Sequence, residues 1–147
     1  MPKIEITNRW TDAVIYAGEA ATIAELLVNA VRDYINLRDA VLRGADLRGA
    51  GKIPVIPNIH QVVYAAASDT DALDMATWHT CETTHCRAGW VVTLAGAAGA
   101  AMEWCLGTPA AAALIYQASD PGLEKIPDFY ASNEDALADM KKLAESR

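Results

Sequence analysis

Between Ile35 and Gly49 the leucines recur at every fifth residue, at Leu37, Leu42 and Leu47. That spacing matches neither the turn of an α-helix nor the alternation of a strand. Whatever precedes Ile35 must therefore end there, and whatever follows Gly49 must begin afresh. Before this point, Lys3-Ile4-Glu5-Ile6-Thr7 and Ala13-Val14-Ile15-Tyr16-Ala17 alternate around Asn8 to Asp12, which predicts a β-hairpin with a longer turn. Thr22-Ile23-Ala24-Glu25 reads as a capping box. Ile23, Leu26, Leu27, Ala30, Val31 and Tyr34 follow at helical spacing, so residues 1–34 are expected to form a hairpin and one helix.

Ile35 to Asp39, Ala40 to Gly44 and Ala45 to Gly49 align without gaps. The segment 35–50 resembles the pentapeptide-repeat family, in which Ala, then Asp or Asn, then Leu recurs and four repeats complete a square turn of a β-helix. The resemblance implies that Leu37, Leu42 and Leu47 point inward, with the small residues Ala40 and Ala45. Three repeats cannot close a coil, and a solenoid needs stacked turns to bury its core. The expectation is a β-helix-like stub docked on the rest of the chain. Arg38, Arg43 and Arg48 share one register position and form a row that faces solvent or a partner.

Residues 51–57, with Pro54 and Pro57, read as a stiff connector. From 58 to 147 the pattern is helical. Asn58 is placed to cap a helix from Ile59 to about Ser68, and a polar loop with Asp69, Asp71 and Asp74 leads to Trp78. A buried helix runs from Arg87 to about Ala98 with a kink over Gly96 to Gly99. Thr108-Pro109 starts another helix, Asp120-Pro121-Gly122 ends it, and Ser132-Asn133-Glu134-Asp135 caps a last helix with Leu137, Met140 and Leu143 on one face. The predicted class is α+β, mainly α: hairpin plus helix, repeat stub, then a C-terminal helical domain.

His79, Cys81, His85 and Cys86 gather two of the three histidines and two of the three cysteines within eight residues. Three readings compete. These four side chains have the ligand types of a tetrahedral zinc site, but adjacent His85 and Cys86 do not readily converge on one metal, so Cys105 or His60 would have to replace one of them. Alternatively, Thr83 or Thr84 caps the next helix and puts Cys86 in its first turn, where the helix dipole would lower the thiol pKa. His79 or His60 would then serve as base, with Asp74 or Glu82 orienting it. In the third reading the cluster is architecture: Cys81 and Cys86 are small buried residues, the threonines cap backbone groups, and Gly89 allows close packing between Trp78 and Trp90. That reading accounts for the threonines and the glycine best.

The run from Cys81 to Trp90 also resembles a motif of small phage and prophage proteins, which often begin, as Ile4 to Thr11 does here, with an Ile-Glu-Ile segment followed by Asn-Arg-Trp-Thr. The resemblance implies a mobile-element origin and brings no catalytic residues with it. There is no P-loop, dinucleotide fingerprint or nucleophile elbow, and Asp69, Asp71 and Asp74 lack the glycine and distal glutamate of an EF-hand.

Charge narrows the function classes. The net charge is −7 over 147 residues. Residues 1–52 carry seven basic and seven acidic side chains, and residues 53–147 five basic and twelve acidic. Such a balance argues against general nucleic-acid binding and suits a basic partner. No apolar run approaches the roughly 18 residues of a membrane span, and the N-terminus lacks a signal-peptide pattern, so a cytoplasmic protein without a membrane partner is expected. The leading expectation is a non-enzymatic binding protein that blocks or sequesters a host protein or complex, including one that holds nucleic acid, in the manner of an anti-defence or anti-CRISPR-like inhibitor. A small nucleotide ligand is a variant of that class, and a thiol or zinc hydrolase is the alternative. The binding candidates are Arg38, Arg43, Arg48, Arg87, Glu134, Asp135 and Asp139. Exposed Trp10 and the alanine-rich helices leave a homo-oligomer open.

Overall fold

The structure, a computed structural model, describes residues 1–41 and 53–147. Its described residues form six helices and two small antiparallel sheets, an α+β arrangement that is mainly α. Strand β1 (Lys3–Thr7) pairs with β2 (Val14–Glu19) from Lys3↔Glu19 to Ile6↔Tyr16, with a register shift before Thr7↔Val14. The Asn8 side chain shapes the turn by accepting from the Trp10 and Thr11 amides, at 2.8 and 3.1 Å. Trp10 stands in solvent with the Arg9 guanidinium 4.5 Å above its ring.

Helix α1 (Ile23–Arg32) starts as its sequence directs. Thr22 Oγ1 accepts from the Glu25 amide, and the Glu25 carboxylate reaches back to the Ala21 amide at 2.8 Å. Leu26, Leu27 and Ala30 bury against Ile6, Ala20 and Leu37 to make a small core. Tyr34 departs from the expected apolar face. The helix stops two residues earlier, and Tyr34 takes a left-handed φ of 54° and turns outward.

Residues 35–41 dock this unit onto the helices. The Leu37 amide donates to the Cys105 carbonyl at 2.7 Å, while Arg9 and Val41 amides donate to the Asp39 and Thr7 carbonyls. Leu37 is buried in the small N-terminal core. Leu42, Arg43, Ala45, Leu47 and Arg48 lie outside the described residues.

The main core is built by α2 (Ile59–Ala67), α3 (Arg87–Leu94), α4 (Gly96–Leu106), α5 (Thr108–Ser119) and α6 (Asn133–Ser146). Helix α3 lies on α5 and α2 on α6. Ile59, Val63, Val91, Ile115, Tyr116 and Met140 fill the space between them, and full burial of each large aliphatic chain contributes about 2 kcal/mol. Asn58 does not cap α2 through its side chain. It sits at a left-handed φ of 54°, which carries the chain out of the connector. The expected helix through Ala98 is two helices, because Gly96 at φ +67° breaks the run after Leu94. Gly99 then lets α4 fold back tightly, since a Cβ there would lie 2.4 Å from the Val92 carbonyl oxygen. Leu106, at the end of α4, packs against both cores. Among the described residues no helix is long and apolar enough to cross a membrane.

Candidate functional site

The Cys/His cluster folds into a small hairpin, β3 (His79–Cys81) and β4 (Thr84–His85), set before α3. Thr84, one of the two residues expected to cap α3, is used here instead, and Thr80 ties the hairpin to the same loop. Thr84 Oγ1 donates to the Asp71 carbonyl at 2.7 Å, and Thr80 Oγ1 donates to the Asp74 carboxylate at 2.9 Å. Asp74, held by the Ala76 amide and then by Thr80, has its pKa lowered and serves as the loop's own hydrogen-bond acceptor.

Cys86, not Thr83 or Thr84, is the N-cap of α3, and its Sγ accepts from the Gly89 amide at 3.2 Å. It is fully buried, and burial pushes its thiol pKa up. This overturns the expected lowered thiolate in the first helical turn. The dipole argument requires a solvated helix end, and here the core covers the sulfur. Cys81 departs from expectation in the opposite direction. It is exposed, and hydrogen bonds from Thr83 and Thr84 bring its thiol down to about 7. The two sulfurs therefore occupy different environments and do not meet at one centre. Among the described residues no group of three or more His, Cys, Asp or Glu is arranged to hold a metal ion.

The two histidines of the cluster do meet. His79 Nδ1 lies 2.8 Å from His85 Nδ1, and His79 Nε2 lies 2.5 Å from Glu103 Oε1 on α4. Thr108 Oγ1 donates to the same carboxylate oxygen at 2.6 Å. At the far end, His85 Nε2 is 3.1 Å from the Glu82 carbonyl, which can only accept. Burial pushes the His85 imidazole below its ordinary value, against the raising effect of that carbonyl. His85 is thus neutral, with its proton on Nε2, and its Nδ1 accepts from His79. The row Glu82–His85–His79–Glu103–Thr108 forms one oriented chain of hydrogen bonds.

Packing fixes the row in place. The His85 ring meets Trp90 edge to face at 4.7 Å and His79 at 4.9 Å. Trp90 Nε1 donates to the Ala72 carbonyl at 2.7 Å. Gly89 is required beneath it, because a Cβ there would stand 2.1 Å from the Trp78 carbonyl oxygen.

His79, Glu103 and Thr108 of this row line a cleft of about 440 Å³, whose lining also includes Arg38, Trp78 and Trp104. Arg38 is the one predicted binding arginine that the described residues place there. Arg87 lies elsewhere, 1% exposed, with Nε donating to the Tyr116 hydroxyl at 3.0 Å and Nη1 to Asp139 at 2.6 Å. Arg87 and Asp139, proposed as outward contacts, are therefore bound to one another. Glu134 and Asp135 are exposed in the first turn of α6, where Ser132 Oγ accepts from the Asp135 amide. His60, the other candidate base, is buried against Tyr116 and bonds Asp120 at 2.9 Å rather than a thiol.

Sequence reasoning missed Glu103, Trp104 and the side-chain role of Thr108. Thr108 is the first residue of α5 and not its cap, so its hydroxyl is directed to Glu103. A signal did exist: Glu103 is the one carboxylate between Glu82 and Asp120, in an otherwise Ala- and Gly-rich helix. In comparisons with known proteins, the chain matches no family model, no curated protein and no solved structure.

Proposed function

We propose that this chain acts by binding and not by catalysis, as a phage- or prophage-type protein that sequesters or blocks a component of a host cell, with defence systems as the target class. The observation that carries the reading is the use to which the Cys/His cluster is put. Cys86 is enclosed in the core as a helix cap, while His79 and His85 are tied into a hydrogen-bonded row that orients Glu103 at the cleft. A row of this kind supports preorganised recognition, because its polar groups are fixed before a ligand arrives. Glu134 and Asp135 remain the candidate contacts for a basic protein partner in the cytoplasm of the host. A thiol hydrolase would have to use Cys81, whose hydrogen-bond partners are threonines and not a histidine base.

The test is native mass spectrometry of the full chain recovered from bacterial lysate. The expected result is a stoichiometric bound component that denaturation releases chemically unchanged. Conversion of that component by fresh protein, or recovery of the folded chain with nothing bound, overturns the reading.

A further inference from the structure

We infer that the cleft beside α4 is a nucleotide site, taking an amino-bearing base against Trp104 and the attached phosphate on Arg38. The inference rests on the binding reading above and adds the chemical class of what is bound.

The cleft volume of about 440 Å³ falls within the range of small-molecule sites. Its lining combines three chemistries. Trp78 and Trp104 supply aromatic surface, and Trp104 leaves 54% of its surface exposed. Arg38 supplies a guanidinium. Glu103 supplies a carboxylate whose Oε1 is held by His79 and Thr108, which fixes the direction of the whole group.

Each simpler ligand fails against one of these groups. A wholly apolar molecule would strip water from Arg38 and Glu103 and return nothing. A small cation suits the indoles and the carboxylate but is repelled by Arg38. A small anion suits Arg38 but meets Glu103. A molecule that satisfies all three has a flat π-face, N–H donors on one edge and an anionic group at a distance from that edge. A nucleotide has this arrangement. Its base stacks on an indole, its amino edge donates to a carboxylate as bases do to Asp and Glu, and its phosphate receives the forked guanidinium.

Isothermal titration of the full chain with GMP, AMP, CMP, UMP, guanosine, inorganic phosphate and a short single-stranded oligonucleotide tests this. GMP, AMP and CMP are expected to bind more tightly than UMP, and GMP about tenfold or more tighter than guanosine or phosphate alone. Because the chain carries net charge −7, the oligonucleotide should bind no better than the mononucleotides. Arg38→Ala and Trp104→Ala should each weaken binding by about tenfold or more. Both residues are exposed, so thermal melting should be unchanged. If Trp104→Ala melts early, Trp104→Phe keeps a ring and should retain binding within a few fold. Absence of binding across the panel, equal binding of phosphate alone, UMP at least as tight as the amino-bearing nucleotides, tighter binding of the oligonucleotide, or indifference to both variants overturns the assignment. A wild-type chain that retains a host component but binds none of the nucleotides overturns the nucleotide assignment and leaves the sequestering reading standing. A folded wild-type chain that binds neither nucleotide nor host component overturns both.

Discussion

His79 and His85 face each other through their Nδ1 atoms at 2.8 Å, and the contact holds only while one of the two rings accepts. His85 is the acceptor, because its Nε2 proton is committed to the Glu82 carbonyl. Burial keeps it neutral by lowering its pKa from the ordinary 6.5. The contribution to stability is then complete above about pH 6.5, where the unfolded chain also holds a neutral imidazole. As the pH falls below that value, the unfolded chain takes up a proton that the folded one refuses, and stability declines. Urea midpoints between pH 7.5 and 5.5 should fall for the wild type and change much less in His85→Gln. The lowered carboxylates Asp33, Asp74 and Asp120 have ordinary values of 3.8, so their losses come at lower pH and separate from this effect.

The three cysteines should sort by environment under alkylation. Cys81, exposed with its thiol near 7, reacts with iodoacetamide at neutral pH. Cys86 and Cys105, both buried and raised by burial, react only when the fold opens. Peptide mass spectrometry after a short pulse reads the order directly, and rapid labelling of Cys86 in the folded protein would contradict its place in the core.

Gly89→Ala places a methyl group against backbone, since the Trp78 carbonyl oxygen is 2.1 Å from the new Cβ position and belongs to no flexible side chain. The hairpin must move off α3, and the row of histidines moves with it. A loss of about 3 kcal/mol in denaturant unfolding is expected.

Arg87 and Asp139 should respond unequally to substitution. Asp139→Ala leaves a charge in the core beside Tyr116, because Arg87 is 1% exposed. A cost of about 3 kcal/mol follows from stranding a buried ion. Arg87→Met removes the charge and keeps much of the volume, while Asp139, half-exposed, returns to water. It should cost clearly less, and equilibrium unfolding of the two variants decides the order.

Local chemistry was legible in the sequence, and tertiary chemistry was not. Thr22 and Ser132 cap their helices as read, because each reaches an amide three residues away. Cys86 was misread because threonine is the better intrinsic cap, yet pairing of the hairpin with the Asp71–Asp74 loop had already engaged Thr84 and set Cys86 at the helix start. Gly96 and Gly99 announced a break, but only the positive φ at Gly96 placed it. The histidine cluster was visible as a density of residue types. Its carboxylate was not, because Glu103 lies 24 residues from His79 and meets it only when α4 folds back.

Leu106 contributes to two cores with a single side chain. With the Leu37 amide bonded to the Cys105 carbonyl beside it, the N-terminal unit cannot melt without exposing the end of α4, nor α4 without disturbing that unit. The consequence is cooperativity: hairpin and helices should unfold in one transition, with tryptophan fluorescence and far-ultraviolet circular dichroism giving coincident curves. Truncating Leu106 to Ala should separate those curves, and the chain would then behave as two weakly coupled folding units instead of one.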